Sequence, residues 1–515
     1  MLLRNARLLD GRVVDVLIDA SADGGRISTI STPAPSASSA AESRERSAVT
    51  AGDREIRRRS RAGGAETVDL EGRWLMPGLW DSHVHFGQWT LLSRRLDLSH
   101  ARSAAEAAAI VREHLALHPP QPGVVLVGQG FRDGLWPDLP APELLEFGDI
   151  PVALVSGDVH CMWINRAALR LLDLPEQGWL LREQQAFDLN VRLSAVPDVQ
   201  LDGWTLEAAA TAATRGVVGV VDLEMRDALG SWRRRFGAGF RGLRVRAGVY
   251  PGDLDAVAAA GIRTGNAVDG GEGLLTVGPF KLFTDGSLNT RTAWCYDDYP
   301  GLTGADAAGL AIHSEAELLG LARTALERGL IPTIHAIGDR ATTLALDTFQ
   351  ALGPLPAPGG SIEHAQLVAA ADLPRFAQLG IRASVQPEHA MDDRDVTDHY
   401  WAGRTDRAFA YRALLDAGAE LALGSDAPVA PLDPWVTLAA AVTRSREGRP
   451  AWHPEQSLPV ADALRASWGG VREIAAGGPA DLVVVEFDPR TASGEQLRAM
   501  PVWATMVAGR WTHRV

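Results

Sequence analysis

Apolar and polar residues alternate over short distances at both ends of the chain. Near the start the runs that read as strands are LLRNARLLD, VVDVLIDA and GGRISTIS, and near the end they are PADLVVVEFD and VWATMVAGRW. Alternation with a period of two predicts half-buried strands. Because neither end can bury such a face alone, we predict that residues 1–75 and 471–515 together form a small β-sandwich domain.

Residues 31–66 interrupt the first of these two β-rich segments. They are rich in Ser, Ala, Arg, Gly and Pro and contain almost no large apolar residue. Such a segment buries too little surface to offset the entropy lost on ordering, so we predict a mobile loop. Its basic run, Arg57–Arg61, is interpreted as part of a solvated linker rather than as a binding patch.

The middle of the chain has a different pattern. Apolar runs alternate there with Ala- and Leu-rich helical stretches, which is typical of repeated βαβ units. Eight such runs occur: WLMPGLWDSHVH, GVVGVVDLE, RVRAGVY, VGPFKLFTDG, LIPTIHAIGD, GGSIEHAQL, IRASVQPE and AELALGSDAP. The predicted fold class is therefore α/β, with a (β/α)₈ barrel of the TIM type over residues 76–470.

Two further strand-like runs, residues 124–131 and 152–158, would give the barrel too many strands. They lie among Pro-rich patches, HPPQPG and LWPDLPAPE, which are typical of an irregular excursion. We therefore predict an insertion at about residues 90–205.

Composition and charge narrow the function classes. The net charge of −14 and the isoelectric point near 5.4 argue against a nucleic-acid or anionic-membrane partner. Two cysteines, Cys161 and Cys295, exclude a disulfide framework. The N-terminal residues lack the apolar region of a signal peptide, and no run of about 18 apolar residues occurs. A soluble cytoplasmic enzyme with a small-molecule substrate is the expectation.

Several metal-ligand residue types stand at the ends of the apolar runs. His83 and His85 form an HxH pair, whose members point to the same side of a strand. His335, His364 and Asp426 each end another run. The carboxyl ends of barrel strands build the active site, so these nitrogen and oxygen ligands predict a site for zinc or a similar ion. The alternative for each histidine is a hydrogen-bonded core residue.

The motifs resemble those of the amidohydrolase superfamily, in the branch called amidohydrolase family 3. The resemblance covers nearly the whole chain. It is carried by PGLWDSHVH, RDGLW, SGDVHCMWINRAAL, KLFTDGSLNTRTA, IHAIGD, EHAQ, GSDAP and GGPADLVVVEFDP, in this order.

The resemblance implies which residues bind each of two metal ions, which the spacing of the residues alone does not indicate. Lys281, in the KLFTDG strand, is expected to carry a carboxylated side chain that bridges two metal ions, for which zinc, iron and manganese all fit. His83 and His85 would bind the buried ion with Asp426. His335 and His364 would bind the second ion.

Catalytic roles follow from the same resemblance. Asp426 would take a proton from a metal-bound water and pass it to the leaving nitrogen, so that the hydroxide attacks the substrate. His160 would lean over the barrel mouth and help to polarise the substrate, although a structural role is an alternative. Asp285 is expected to fix a loop or to orient the substrate.

The resulting expectation is a metal-dependent amidohydrolase that acts on carbon–nitrogen bonds other than peptide bonds. The substrate would be an amide or an N-substituted formamide. A cyclic-amide hydrolase or a deaminase on the same site is one alternative, and a non-catalytic barrel used as a binding module is another. A homodimer is compatible with the resemblance.

Overall fold

The computed structural model describes residues 1–20, 25–32, 66–121, 123–131, 133, 136–156, 161–182 and 184–515. The chain divides into two compact units. The first comprises Met1–Phe86 and Ala209–Val515, and the second comprises Gly87–Ala208. The predicted mobile loop lies almost entirely outside the described residues.

A sheet built from both chain ends belongs to the first unit. Its strands β1 to β5 are Leu2–Leu8, Val13–Asp19, Arg26–Ser31, Thr67–Asp69 and Trp74–Pro77, and it also contains β19 to β21, which are Leu482–Val485, Val502–Val507 and Arg510–Arg514. The strand order is β21-β20-β19-β5-β1-β2-β3, and β4 pairs with β1. Alternate residues of these strands form one buried apolar cluster that contains Leu3, Val16, Leu482 and Met506.

The rest of the first unit is a parallel barrel. Its strands are β6 and β12 to β18, with bounds Leu79–Val84, Val217–Asp222, Arg244–Val249, Leu275–Phe283, Pro332–Ala336, Ser361–His364, Arg382–Val385 and Leu421–Leu423. They pair in the order β18-β17-β16-β15-β14-β13-β12-β6. A parallel bridge between Val84 and Ala427 connects the two ends of this sheet, so the barrel is nearly closed. The predicted α/β class and eight-stranded barrel are confirmed.

Local sequence explains these elements. β12 has the sequence VVGVVD, and nearly all of it is buried, as expected for a parallel strand that helices cover. The helix Glu315–Glu327 begins at a capping box in which Ser314 and Glu317 bond to each other's backbone N–H groups.

Helices connect the strands in both units. The α-helices are Phe86–Leu92, Ala104–Leu117, Arg166–Leu171, Gln184–Leu193, Asp198–Ala213, Ala228–Gly237, Leu254–Ala259, Glu315–Glu327, Asp339–Leu352, Leu373–Leu379, His389–Asp392, Arg394–Tyr400, Tyr411–Asp416, Pro434–Thr443, Val460–Ala466 and Gly494–Arg498. Among the described helices, none is long and apolar enough to cross a membrane.

The second unit has its own sheet and core. Its strands β7 to β11 are Leu96–Asp97, Leu126–Phe131, Val152–Ser156, Cys161–Ile164 and Leu180–Arg182, in the order β11-β10-β9-β8-β7. Leu154 and Trp163 pack in one cluster with the buried face of the helix Ala104–Leu117. Its range, Gly87–Ala208, lies close to that of the predicted insertion.

Candidate metal centre

The HxH pair lies where the first barrel strand meets the last. The Nε2 atoms of His83 and His85 are 3.4 and 3.3 Å from Oδ1 of Asp426. The register of β6 against β12 shifts between the partners of Val220 and Asp222. A register shift of this kind re-aims side chains at the end of a strand, and both imidazoles here point to the same carboxylate.

Asp426 is held in place by backbone contacts between β6 and the segment that follows β18. Its N–H donates to the carbonyl oxygen of His83 at 2.7 Å, and its φ is +58°. Gly424 allows this close approach, because a Cβ at that position would lie 2.7 Å from the nitrogen of His83. The carboxylate of Asp81 accepts from the N–H groups of His83 and Ser425, which fixes both segments.

Asp426 is ionised at neutral pH. Burial would raise the pKa of its carboxyl, but the neighbouring histidines, His83 foremost, hold this pKa well below its usual range. The group therefore combines a negative charge with a position at the centre of the histidine cluster, as a metal ligand or a proton acceptor requires.

Glu363 orients His83 from the side opposite Asp426. The Nδ1 atom of His83 lies 2.7 Å from Oε2 of Glu363. Thr333 Oγ1 and Ser361 Oγ donate to the other carboxylate oxygen. Burial raises the pKa of Glu363, but the hydrogen bond with His83 lowers it further, to a net value of about 2. With Nδ1 donating to this carboxylate, His83 presents a free Nε2 lone pair, as a metal-binding histidine does.

His335 and His364 lie on two neighbouring barrel strands, β15 and β16. Their rings are 4.5 Å apart, and His364 Nδ1 lies 2.9 Å from Oε1 of Gln386. Burial, and then the charge of Lys281, lowers the pKa of His335 to about 3. Burial, and then His335, lowers the pKa of His364 well below its usual value. Both imidazoles are therefore neutral, which is the form that binds metals.

Lys281 is buried in the same cluster. It is 1% exposed, and its Nζ has no hydrogen-bond partner among the described residues. Burial lowers the pKa of its amine. A buried amine without a partner is costly, so this side chain fits a site in which a further group satisfies it.

His389 belongs to the cluster although sequence reasoning did not select it. Its Nε2 lies 3.8 Å from Oδ2 of Asp426, and its ring stacks against that of His364. The ligand atoms of His364, His389 and Asp426 all lie within 4.8 Å of one another, as do those of His83, His85 and Asp426. The signal was present in the run IRASVQPE, which this histidine follows directly.

The donor set therefore fits a divalent metal, with imidazole nitrogens and one carboxylate on a buried wall. The model for the amidohydrolase family called Amidohydro_3 matches residues 66–513. The chain belongs to the amidohydrolase family. The predicted recognition is confirmed.

This amidohydrolase is similar in sequence to characterised and named proteins over most of its length. The chain is 28% identical over 447 residues to Protein LONG AFTER FAR-RED 3 of Arabidopsis thaliana, a match that covers 78% of this chain and 74% of the relative. It is 25% identical over 499 residues to an N-substituted formamide deformylase of Arthrobacter pascens, covering 86% of this chain and 89% of the relative.

Solved structures with the same fold include metal-dependent hydrolases. The structure of an uncharacterized metal-dependent hydrolase from Pyrococcus horikoshii superposes with a TM-score of 0.73 at 25% identity, covering 96% of this chain and 99% of that one. A second, from Pyrococcus furiosus, gives 0.74 at 23% identity, covering 95% and 99%. The family and these neighbours support a hydrolase that uses a divalent metal, which confirms the predicted enzyme and disfavours the non-catalytic barrel.

Two further residues from the sequence analysis have different outcomes in this amidohydrolase. Asp285 fixes loops, because its carboxylate accepts from the N–H groups of Trp294, Ile337 and Gly338. His160 lies outside the described residues, and its catalytic role stays a prediction.

Proposed function

We propose that this amidohydrolase hydrolyses carbon–nitrogen bonds other than peptide bonds, and that its substrate is an amide or an N-substituted formamide. The observation that carries the proposal is the position of Asp426. Its ionised carboxylate lies 3.3 to 3.8 Å from the Nε2 atoms of His83, His85 and His389 at the carboxyl ends of the barrel strands. A proton acceptor is thus held among imidazole nitrogens that can bind a metal ion.

The proposal assigns the metal ligands as two sets. His83, His85 and Asp426 would hold one ion, and His335 and His364 would hold the other, with a carboxylated Lys281 bridging the two. A carbamate on Lys281 would replace an unpaired amine with two anionic oxygens, which suits its buried position. Zinc is the proposed metal, and when bound it supplies Lewis-acid activation of water and of the scissile carbonyl.

Asp426 would act as both general base and general acid. Its carboxylate takes a proton from the attacking water, whose oxygen forms a bond to the carbonyl carbon. It then delivers that proton to the substrate nitrogen as the carbon–nitrogen bond breaks. The products are a carboxylic acid, which is formate for a formamide, and an amine. Glu363 keeps His83 oriented throughout, because its carboxylate stays ionised.

The likeness to the N-substituted formamide deformylase supports the choice of substrate class, since that match covers most of both chains. The test is a panel of N-substituted formamides, acetamides, cyclic amides and amino-heterocycles, with release of formate, carboxylate, ring-opened product and ammonia measured separately. We expect formate from the formamides or carboxylate from the acetamides. Ring opening alone would indicate a cyclic-amide hydrolase, and ammonia alone a deaminase.

Two variants and removal of the metal test whether this activity depends on the site. Asp426→Asn should lower kcat by about 10²–10⁴-fold, because it removes the proton acceptor. Asp416→Asn, at a side chain that is 60% exposed, should leave kcat unchanged. A chelator should abolish the activity, and added zinc should restore it. Full activity in Asp426→Asn would contradict the proposed role.

The remaining predictions belong to the same proposal. We also propose that residues 1–75 and 471–515 form a small β-sandwich domain, which the sheet built from both chain ends supports, and that the insertion spans about residues 90–205. A cytoplasmic location and a homodimer stay predictions. Sedimentation of the purified protein tests whether it is a homodimer.

A further inference from the structure

A cavity lies inside the barrel toward the amino ends of its strands, below the level of the metal ligands. We call it the floor cavity. Its volume is about 440 Å³, and its lining includes Ser82, Arg246, Thr276, Ser361, Arg382 and Ser384. These residues come from five different strands of the ring, and loop residues such as Gly265 and Gly469 complete the lining of a cavity that is partly open. Barrel interiors are normally filled by branched apolar side chains, so this polar lining is unusual.

Arg246 is the cation that projects into the floor cavity without a counter-ion. One of its nitrogens donates to the carbonyl oxygen of Gly469 at 2.8 Å, and its Cζ lies 4.2 Å from the centre of the Trp80 ring. Among the described residues, no carboxylate forms an ion pair with it. Burial, and then the like charges of Arg382 and Arg244, lower the pKa of Arg246 to about 10. The guanidinium therefore remains charged at neutral pH.

Arg382 brings a second positive charge to the same space. Its Nε contacts Glu420 at 3.2 Å, and the Glu420 side chain is 68% exposed. An adjoining cavity of about 390 Å³ shares Ser82, Arg246 and Arg382 with the floor cavity and extends to Arg465 and Arg472. The positive lining thus continues from the barrel interior.

The carboxylates that line these two cavities have other partners. Glu363 is bonded to His83 and Thr333, Glu420 to Arg382, and Asp462 to Arg465. None of these contacts reaches Arg246. Arg246 therefore has a carbonyl oxygen and an aromatic ring as neighbours but no negative charge, and a bound anion is the simplest group that would supply one.

We propose that the floor cavity binds a small oxyanion, whose phosphate or carboxylate group is held by the guanidinium groups of Arg246 and Arg382. Guanidinium groups present paired N–H donors that match both kinds of oxyanion. The hydroxyl of Ser82 adds a donor, and the volume lies within the range of about 300–1,000 Å³ common for small-molecule sites. This inference does not depend on the proposed reaction.

Isothermal titration of the metal-loaded enzyme tests the proposal. Inorganic phosphate and succinate are titrated separately at constant ionic strength, with sodium chloride as the reference anion. We expect saturable binding of phosphate, succinate or both, and the difference between them identifies which oxyanion the cavity prefers. Chloride should give no saturable heat.

Variants separate the floor cavity from the metal centre, which also attracts anions. Arg246→Met keeps an unbranched side chain beside Trp80 and removes the charged guanidinium that lies over its ring, so it should weaken binding at least tenfold. Arg412→Met, which removes a surface arginine paired with Asp416, should bind like the unaltered enzyme. Binding that is equal in all three proteins, or absent from the unaltered enzyme, would overturn the proposal.

A second measurement covers the case in which Arg246→Met does not fold. Phenylglyoxal modifies accessible arginines, and peptide mass spectrometry reports the rate at each position. Phosphate or succinate should slow the modification of Arg246 and Arg382 but not that of Arg412. If phosphate and succinate left the modification rates of Arg246 and Arg382 unchanged, that result would contradict the site.

Discussion

At the scale of single residues, Glu363 shows how a side chain outside the metal's direct contacts controls a ligand. Its carboxylate accepts from His83 Nδ1 at 2.7 Å and so fixes both the tautomer and the ring orientation. Glu363→Gln retains an acceptor oxygen but loses the charge, and it should weaken metal affinity by about 10–100-fold. Competition with a chelator measures this. Glu327→Gln, at an exposed helix end, is the control and should bind metal like the unaltered protein. If Glu363→Gln also bound metal with unaltered affinity, Glu363 would not control His83 as a ligand.

The same pair predicts a pH dependence of stability in the metal-free protein. The pKa of Glu363 is about 2 in the folded state and about 4.3 in an unfolded chain. A depressed carboxyl pKa stabilises the fold fully above the unfolded value, and that stability is lost as the pH falls toward the folded value. The difference in unfolding free energy between the unaltered protein and Glu363→Gln should be constant from pH 7 to 5 and should shrink below about pH 4. A difference that grows on acidification would contradict the assignment.

Sequence reasoning could select the histidines and Asp426 because strand ends are visible as the last polar residues of apolar runs. Glu363 and Gln386 were not selected, because their roles depend on which ring nitrogen they face, and only the folded barrel shows that. His389 was missed because it lies one short turn beyond its strand, in the helix His389–Asp392.

At the scale of elements, the contact between the first and last barrel strands is the most constrained feature. A Cβ on Gly424 would lie 2.7 Å from the His83 nitrogen and 3.0 Å from an Asp81 oxygen. Gly424→Ala should therefore lower the free energy of unfolding by about 1–3 kcal/mol and reduce metal binding. Chemical denaturation and metal analysis measure the two effects.

Gly320→Ala is the matched control for this substitution. Gly320 lies inside the helix Glu315–Glu327, and an added Cβ would meet no atom within 4 Å. It should raise the free energy of unfolding by about 0.5–1 kcal/mol, because alanine is the better helix former. If both variants were equally stable, the close approach at Gly424 would have no energetic role.

The first apolar run shows where element prediction from sequence reached its limit. The run WLMPGLWDSHVH reads as one strand, but it forms β5 in the sheet of the chain ends and β6 in the barrel. Gly78 separates them, and a Cβ there would lie 2.2 Å from Val218. Both segments are apolar, so periodicity could not reveal that the chain changes sheets.

At the scale of the whole molecule, the last strands are tied to the first barrel strand. β20 and β21 complete the sheet that contains β19, and β19 pairs with β5, which precedes β6 by one residue. Deleting residues 502–515 should therefore prevent folding, because it exposes the apolar cluster around Met506 and leaves β19 without a partner on one side. Deleting Val515 alone, which is 82% exposed, should change little.

Circular dichroism during thermal unfolding distinguishes these two truncations. A protein without residues 502–515 that unfolds cooperatively at the same temperature as the full chain would contradict the coupling between the chain ends and the barrel.

The barrel was predictable because eight apolar runs carried the βαβ pattern. The insertion was placed by counting the strands in excess of eight, and the structure separates Gly87–Ala208 as a compact unit of its own. The floor cavity could not be predicted, because Arg246 and Arg382 lie on strands far apart in sequence and read as ordinary polar positions of those strands.

The most direct test of the central claim is the metal content per chain, measured by mass spectrometry on protein produced with zinc and bicarbonate and on Lys281→Ala. The account predicts about two ions per chain in the unaltered enzyme and fewer in the variant. A content of one ion per chain that is unchanged in Lys281→Ala would contradict the proposed bridge through Lys281. An unaltered protein that binds no metal at all would contradict the account.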